Sequence, residues 1–410
     1  MKTAILTVGT EILFGQIVNT NAAFLSQELQ NMGYDVMYHY SVGDNPGRLK
    51  ELIAFAFHDC DLILTTGGLG PTQDDLTKEV IAEAMGDVIV ENEECMKALL
   101  DNYQRAGRPM TPNNLKQAYM PSRARVLPND SGTAPGFALE KDGKLIISMP
   151  GPPREMKRMF ELQVKPILES MQDSVIYYRI IRTFGLGESS METVLLPLID
   201  GQTDPTIATY AKEGECSLRI ASKRKAKEEA IAAVDRMTEE VNQLIGEYIY
   251  SYDDEELVDV VGKLLLEKHI TISCAESCTG GLFAAALTDI PGISEVFERG
   301  IVTYSNRAKI EELGVKAETL DKFGAVSPET ACEMAAGLAE KTGSDLCISV
   351  TGIAGPGGGT AEKPVGLAYI GIAYKGQVKT VESKYRNVNR KWNRHYALLA
   401  MLNQVYQLIK

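Results

Sequence analysis

Histidine is scarce in this chain of 410 residues, with four in all, and none falls in the C-terminal segments where glycines and hydroxyls gather. A Ser-His-Asp arrangement there would have to draw on His269 or His395, neither of which stands in a recognisable catalytic setting. The seven cysteines (Cys60, Cys95, Cys216, Cys274, Cys278, Cys332 and Cys347) are odd in number and nowhere spaced Cys-x-x-Cys, which argues against a zinc or dithiol site and fits a reducing cytosol. Positive charge is short as well. Lys and Arg number 42 against 55 Asp and Glu, and the formal net charge of -13 opposes binding to a phosphate backbone, so no direct nucleic-acid partner is expected. Small phosphorylated ligands stay open, because local basic groups or backbone donors suffice for them. No apolar run approaches the roughly 18 residues of a membrane span, and the opening "MKTAILTVGTEI" meets Thr, Gly and Glu too early for a signal peptide. A cytoplasmic protein without a membrane partner is expected.

The length allows two or three domains, at about 100 to 200 residues each. From residue 1 to about 168, short apolar runs ("TAILTV", "DLILTTGG", "KLIISMPG") alternate with helical patterns ("NAAFLSQELQNMG", "GRLKELIAFAFHD", "LTKEVIAEAMG"), the mark of βαβ units and a parallel sheet. Residues 169–250 offer strands at "VIYYRIIRTFG" and "ECSLRIASK" and one charged helix, a small α+β module. Residues 251–410 return to the α/β pattern, with strands at "ITISC", "GIVTYS", "LCISVTG" and "GLAYIGIAY". There the helix "PETACEMAAGLAEKTG" has Ser327 placed to cap it, Pro328 in its first turn and Gly343 at its stop. The fold class is therefore α/β, two α/β domains joined by a small α+β module.

Three glycine-bearing loops follow N-terminal strands, at 8–21, 65–79 and 149–156. In parallel sheets ligands sit at the carboxyl ends of strands, so all three can line one cleft. Gly67, Gly68 and Gly70 are expected to present free backbone N–H groups, with Asp74 and Asp75 in the first turn of the helix that follows. Two carboxylates beside a phosphate cradle suit a hard divalent cation, with Glu11 as a further ligand. The alternative is that the two aspartates merely cap the helix and favour its dipole.

Near the C-terminus, "CAESCTGG" (274–281) joins a β-branched run to an Ala/Leu-rich helical pattern, with "GIVTYSNRAK" (300–309) and "SVTGIAGPGGG" (349–359) as companions. Without a histidine, a desolvated lysine is the economical base, and Ser277 with Lys309 makes a nucleophile and its proton acceptor. The Cys278-Thr279-Gly280-Gly281 turn is expected to aim N–H groups at an oxyanion or a phosphate. Cys278 competes as nucleophile but is read as a buried structural thiol. Tyr304 either packs or orients Lys309 through its hydroxyl.

The blocks "GTEILFGQIVNTN", "TTGGLGPTQDDLTKE", "PNDSGTAPGF" and "MPGPPREM" together resemble the molybdopterin-binding (MoCF) domain as it occurs in the competence/damage-inducible CinA family. Asp75 matches the acidic position of that loop and Asp74 departs from it. The CinA branch is similar to a metal-dependent ADP-ribose pyrophosphatase, which implies cleavage of ADP-ribose to AMP and ribose 5-phosphate. "AESCTGG", "RGIVTYSNRAK", "AVSPETA", "VTGIAGPGGGTAEKPVG" and "NRKWNRHYAL" resemble nicotinamide-nucleotide amidase, the C-terminal domain of CinA proteins. The resemblance implies hydrolysis of nicotinamide mononucleotide to nicotinate mononucleotide and ammonia, without a cofactor. It places Ser277, Lys309 and Tyr304 in the reactive centre. It places Thr279, Gly280, Gly281, Asn306, Thr351, Gly352, Gly355 and either Arg390 or Arg394 against substrate, the tail "YRNVNRKWNR" leaving the choice of arginine open. The middle segment resembles a KH-like module but lacks a Gly-x-x-Gly loop, and reads as a spacer or dimerisation unit.

The combined expectation is a bifunctional pyridine-nucleotide salvage enzyme. Its partners are small nucleotides and a second copy of the chain in a homodimer, and its N-terminal domain needs a divalent metal. Two other readings stand beside it: a protein that binds molybdopterin in the N-terminal cleft, and a competence-related interaction protein whose domains serve as scaffolds.

Overall fold

The computed structural model describes every residue except Arg108, Asp173 and Asn387. Compactness divides the chain into two units, residues 1–177 with 223–231, and residues 178–222 with 232–410.

In the first unit, β1 (Lys2–Val8) lies between β2 (Asp35–Val42) and β3 (Leu62–Thr66) and is parallel to both. A short antiparallel pair, β4 (Ile89–Glu91) and β5 (Tyr119–Pro121), stands apart. The main sheet continues through β6 (Arg125–Leu127), β7 (Gly136–Lys141) and β8 (Lys144–Met149) to the order β2-β1-β3-β8-β7-β6. β3 is buried along its whole length, as its unbroken Leu-Ile-Leu-Thr-Thr run requires of a strand covered on both faces. The sheet is mixed, where the sequence pattern predicts a parallel one. β8 runs parallel to β3, but β7 is antiparallel to β8, because Asp142 (φ 52°) and Gly143 (φ 74°) close a two-residue hairpin of the kind that matches strand twist, and β6 is in turn antiparallel to β7.

Two further sheets lie wholly or mostly in the second unit. A four-stranded one has the order β10-β11-β9-β12, with β9 (Val175–Thr183), β10 (Thr206–Ala211), β11 (Cys216–Arg224) and β12 (Ile249–Ser251). A five-stranded one has the order β14-β13-β15-β16-β17, with β13 (Ile272–Glu276), β14 (Phe297–Val302), β15 (Leu346–Gly352), β16 (Leu367–Tyr374) and β17 (Gln377–Lys384). β14, β13 and β15 are parallel, and β16 and β17 return antiparallel through a Lys375-Gly376 turn. Phe184 and Tyr250 of the small module share one buried cluster with Leu257, Ile272 and Leu398, so module and α/β layer pack as one body. The helix Pro328–Thr342 has the expected ends: the Ser327 hydroxyl accepts the Thr330 N–H, Pro328 is in the first turn, and Gly343 takes a left-handed φ of 67°. Among the described residues no helix is long and apolar enough to cross a membrane.

Candidate active sites

β13 is fully buried and ends at Glu276, after which the chain turns sharply through Gly280 (φ 61°) and Gly281 (φ 96°) into the helix Leu282–Thr288. The Ser277 N–H donates to the Val350 carbonyl at 3.1 Å, which pins the turn to the end of β15. Lys309 comes from the helix Asn306–Leu313, whose start is fixed by the Ser305 hydroxyl accepting the Ala308 N–H. Its side chain is 1% exposed, and its Nζ lies 3.1 Å from Ser277 Oγ, 2.8 Å from the Thr303 carbonyl and 3.4 Å from the Tyr304 carbonyl. Burial pushes the Lys309 amine below its ordinary value. A neutral amine has two N–H bonds for the two carbonyls and one lone pair for the Ser277 hydroxyl, which is the arrangement a proton acceptor needs.

Cys278 is set apart from this pair. Burial, with Glu276 nearby, pushes its thiol up to about 11, so it stays protonated near neutrality and is a poor nucleophile. The turn also differs from the expected cradle of four donors. The Gly280 N–H donates to the Ser277 carbonyl at 3.1 Å and the Gly281 N–H to Glu276 Oε2 at 2.9 Å, so neither is free. The N–H groups of Cys278 and Thr279 remain, with no backbone or side-chain acceptor among the described residues. Thr279 is fully buried, and its hydroxyl, like that of neighbouring Thr303, has no partner among the described residues.

The other expected contacts divide. Tyr304 is 60% exposed and its hydroxyl accepts from Arg390 Nη2 at 2.9 Å. Of the two roles open to Tyr304, neither packing nor a phenol contact with Lys309 describes its hydroxyl here; it is the Tyr304 backbone carbonyl that reaches the lysine. Arg390 Nη1 also donates to the Gly355 carbonyl at 2.7 Å. Arg394 donates through Nε to the Cys278 carbonyl at 3.1 Å and through Nη2 to the Thr279 carbonyl at 2.6 Å. The Thr351 hydroxyl donates to the Ala325 carbonyl at 2.6 Å, Gly352 closes β15 against Ala368, and Asn306 is exposed in its helix's first turn. Asn387, in the same tail as the two arginines, lies outside the described residues.

In the first unit, the ends of β1, β3 and β8 open on a cleft of about 630 Å³ lined by Glu11, Gly67, Gly68, Gly70, Asp74, Asp75 and Glu155, among others. A Cβ at Gly67 would meet the Val8 carbonyl oxygen at 2.1 Å, and one at Gly68 would meet Thr77 Oγ1 at 2.0 Å, so only glycine lets the loop pass so close to β1 and the next helix. The Gly67 N–H is taken by the Met149 carbonyl, whereas those of Gly68 and Gly70 have no partner among the described residues. The helix begins at Thr77 with Leu76 as an N-cap that makes no side-chain bond. Asp74 and Asp75 therefore precede the helix and neither caps it. Asp75 Oδ2 instead accepts the Thr72 N–H and hydroxyl, while the carboxylates of Glu11 and Asp74 have no partner among the described residues. No group of three acidic, histidine or cysteine side chains is preassembled around a metal position among those residues. Two unpartnered carboxylates beside free loop N–H groups still suit a hard cation that takes one or two carboxylates and completes its shell with water and phosphate oxygens.

Three family models match in succession: the probable molybdopterin binding domain over residues 4–170, the damage-inducible protein CinA KH domain over 178–251, and the CinA C-terminal domain over 254–409. A CinA-like protein of Dictyoglomus turgidum is 50% identical over 382 residues, 93% of each chain, and a putative competence-damage inducible protein of Clostridium botulinum (strain Kyoto / Type A2) is 46% identical over 410 residues, the whole of both. The chain belongs to the CinA family. Among solved structures, the competence/damage inducible protein CihA of Agrobacterium tumefaciens is 41% identical over 98% of its own chain and 38% of this one, with a TM-score of 0.37.

In this CinA chain the reading from sequence passed over Glu276 and Asn393. Glu276 is 1% exposed and its two oxygens accept the N–H groups of Gly281 (2.9 Å), Phe283 (3.2 Å) and Ala284 (2.9 Å). Asn393 is fully buried and donates to the Ala354 carbonyl at 2.9 Å. A glutamate closing a short strand of otherwise uncharged residues was the available signal for the first. The second gives none, since an asparagine inside a helical pattern reads as surface.

Proposed function

We propose that this CinA-family protein is a bifunctional pyridine-nucleotide hydrolase, with an amidase centre at Ser277 and Lys309. The single observation that carries this reading is the buried Lys309 amine, held below its ordinary value by burial and 3.1 Å from the Ser277 hydroxyl. The Lys309 lone pair takes the hydroxyl proton as Ser277 Oγ bonds to the carboxamide carbon of nicotinamide mononucleotide. The tetrahedral adduct breaks its C–N bond, and the amine leaves as ammonia with the proton returned from Lys309. Water then cleaves the seryl ester by the same proton relay, and nicotinate mononucleotide departs. The substrate identity rests on the resemblance of the five C-terminal blocks. The test is ammonia release from nicotinamide mononucleotide, kept by Cys278→Ala and lost by Ser277→Ala.

The N-terminal cleft supports hydrolysis of ADP-ribose to AMP and ribose 5-phosphate. Gly68 and Gly70 would hold phosphate oxygens, and Glu11, Asp74 and Asp75 would hold a divalent cation. Bound there, the cation would neutralise charge on the pyrophosphate as its bridging bond breaks. AMP formation from ADP-ribose separates this reading from molybdopterin binding in the same cleft.

A further inference from the structure

Arg390, Asn393 and Arg394 stand at i, i+3 and i+4 on the first turns of the helix Arg390–Ile409, so they share one face. All three donate to main-chain carbonyls of the surrounding loops: Arg390 to Gly355, Asn393 to Ala354, and Arg394 to both Cys278 and Thr279. The turn that carries Ser277 is thus held on its carbonyl side by a guanidinium fork. On its N–H side the buried Glu276 carboxylate holds Gly281, Phe283 and Ala284.

We infer that Arg394 and Glu276 are positioning residues that clamp the Ser277 turn from opposite sides, and that Arg394 serves this purpose rather than contacting substrate. Two donor atoms of Arg394 are committed to consecutive carbonyls, which fixes the Cys278–Thr279 and Thr279–Gly280 peptide planes. With those carbonyls turned toward Arg394, the Thr279 N–H in the same plane as the Cys278 carbonyl points the other way, since the two groups of a trans peptide are antiparallel. The Glu276 carboxylate is an acceptor only, and both of its oxygens are used. It therefore occupies donors at the start of the helix Leu282–Thr288 that would otherwise be open to an anion, and leaves the donors of Cys278 and Thr279 as the ones beside the nucleophile. The clamp rests on the proposed roles of Ser277 and Lys309.

Steady-state kinetics of the full chain with nicotinamide mononucleotide test the clamp, with Ser277→Ala measured alongside. A nucleophile displaced by about 1 Å loses rate on the order of a hundredfold. Arg394→Ala should therefore lower kcat by roughly ten- to a hundredfold while KM changes by less than about threefold. Arg394→Lys should recover part of the loss, because one ammonium can still reach one carbonyl. Glu276→Gln should show the same split, since one of its two oxygens becomes an amide nitrogen facing an N–H group. The midpoint of the pH–rate profile should stay where Lys309 sets it in every variant, and far-ultraviolet circular dichroism should match the parent. A KM raised tenfold or more by Arg394→Ala at unchanged kcat would make Arg394 a substrate contact and overturn the clamp. Activity persisting in Ser277→Ala would instead remove the reading beneath it.

Discussion

Ser277 directly follows β13 and Lys309 is the fourth residue of the helix Asn306–Leu313, and what joins them is burial. An amide is a poor electrophile, and general-base and charge-stabilising contributions of roughly a hundredfold each are typical of sites that cleave one. Ser277→Ala and Lys309→Ala should each lower deamidation by at least about two orders of magnitude, and the double variant should be little worse because the two act as a unit. Cys278→Ala should keep most activity; a dead Cys278→Ala beside an active Ser277→Ala would make this a thiol amidase. Lys309 also fixes the sign of two pH effects. Its amine acts only when neutral and its folded value lies below the ordinary 10.5, so the rate should rise with pH through a midpoint below that value. Over the interval between the folded and unfolded values the unfolded chain binds more protons, so stability should rise with pH there as well. Replacement by Met removes a desolvated charge, and Lys309→Met should keep or raise the thermal midpoint at pH 7 while abolishing deamidation. A lowered midpoint would mean that the lysine's three hydrogen bonds outweigh its desolvation. Both residues were legible in the sequence, because a serine before two glycines at a strand end and a lysine in a hydroxyl-rich block are local signals. The clamp of Arg394 was not, since a contact across more than a hundred residues leaves no spacing to read.

Elements with strong local signals came through the sequence intact, and those defined by a partner did not. β15 and the capped helix Pro328–Thr342 match their expected spans closely, since a short β-branched-rich run closed by glycine and a Ser-Pro start need no tertiary help. The expected strand "GIVTYS" stops at Val302, because Thr303 and Tyr304 turn their carbonyls to Lys309 instead of to a neighbouring strand. The helix carrying Lys309 was missed: its few apolar residues make only a weak stripe, and its seat is a neighbour. That neighbour is Gly337, where a Cβ would stand 1.7 Å from the Leu313 carbonyl oxygen. Gly337→Ala should therefore push the two helices apart, destabilising the second unit by about 1–3 kcal/mol in urea unfolding and lowering deamidation through the displaced lysine. Unchanged stability and rate would show that the helices have slack.

At the scale of the whole chain, three successive family matches and two sets of candidate catalytic groups stand on separate sheets, which sets what each perturbation can reach. Asp75→Asn should abolish AMP formation from ADP-ribose and leave deamidation within a small factor, and a chelator should act in the same way. AMP formation that survives the chelator would remove the metal from the account. The small module has strands and an amphipathic helix but none of the catalytic groups, which motivates assembly: light scattering at micromolar concentration should give at least twice the chain mass of 44.8 kDa, and a value near that mass would reject a dimer. That the small module packs onto the C-terminal core was not legible, because shared burial of Phe184 and Tyr250 with that core is invisible to a linear pattern. The most direct measurement is the yield of ammonia and nicotinate mononucleotide when the full chain is incubated with nicotinamide mononucleotide in the presence of a chelator. One ammonia per nicotinate mononucleotide, at a rate indifferent to the chelator, is the predicted result; no ammonia, or ammonia only when metal is restored, would contradict a serine–lysine amidase.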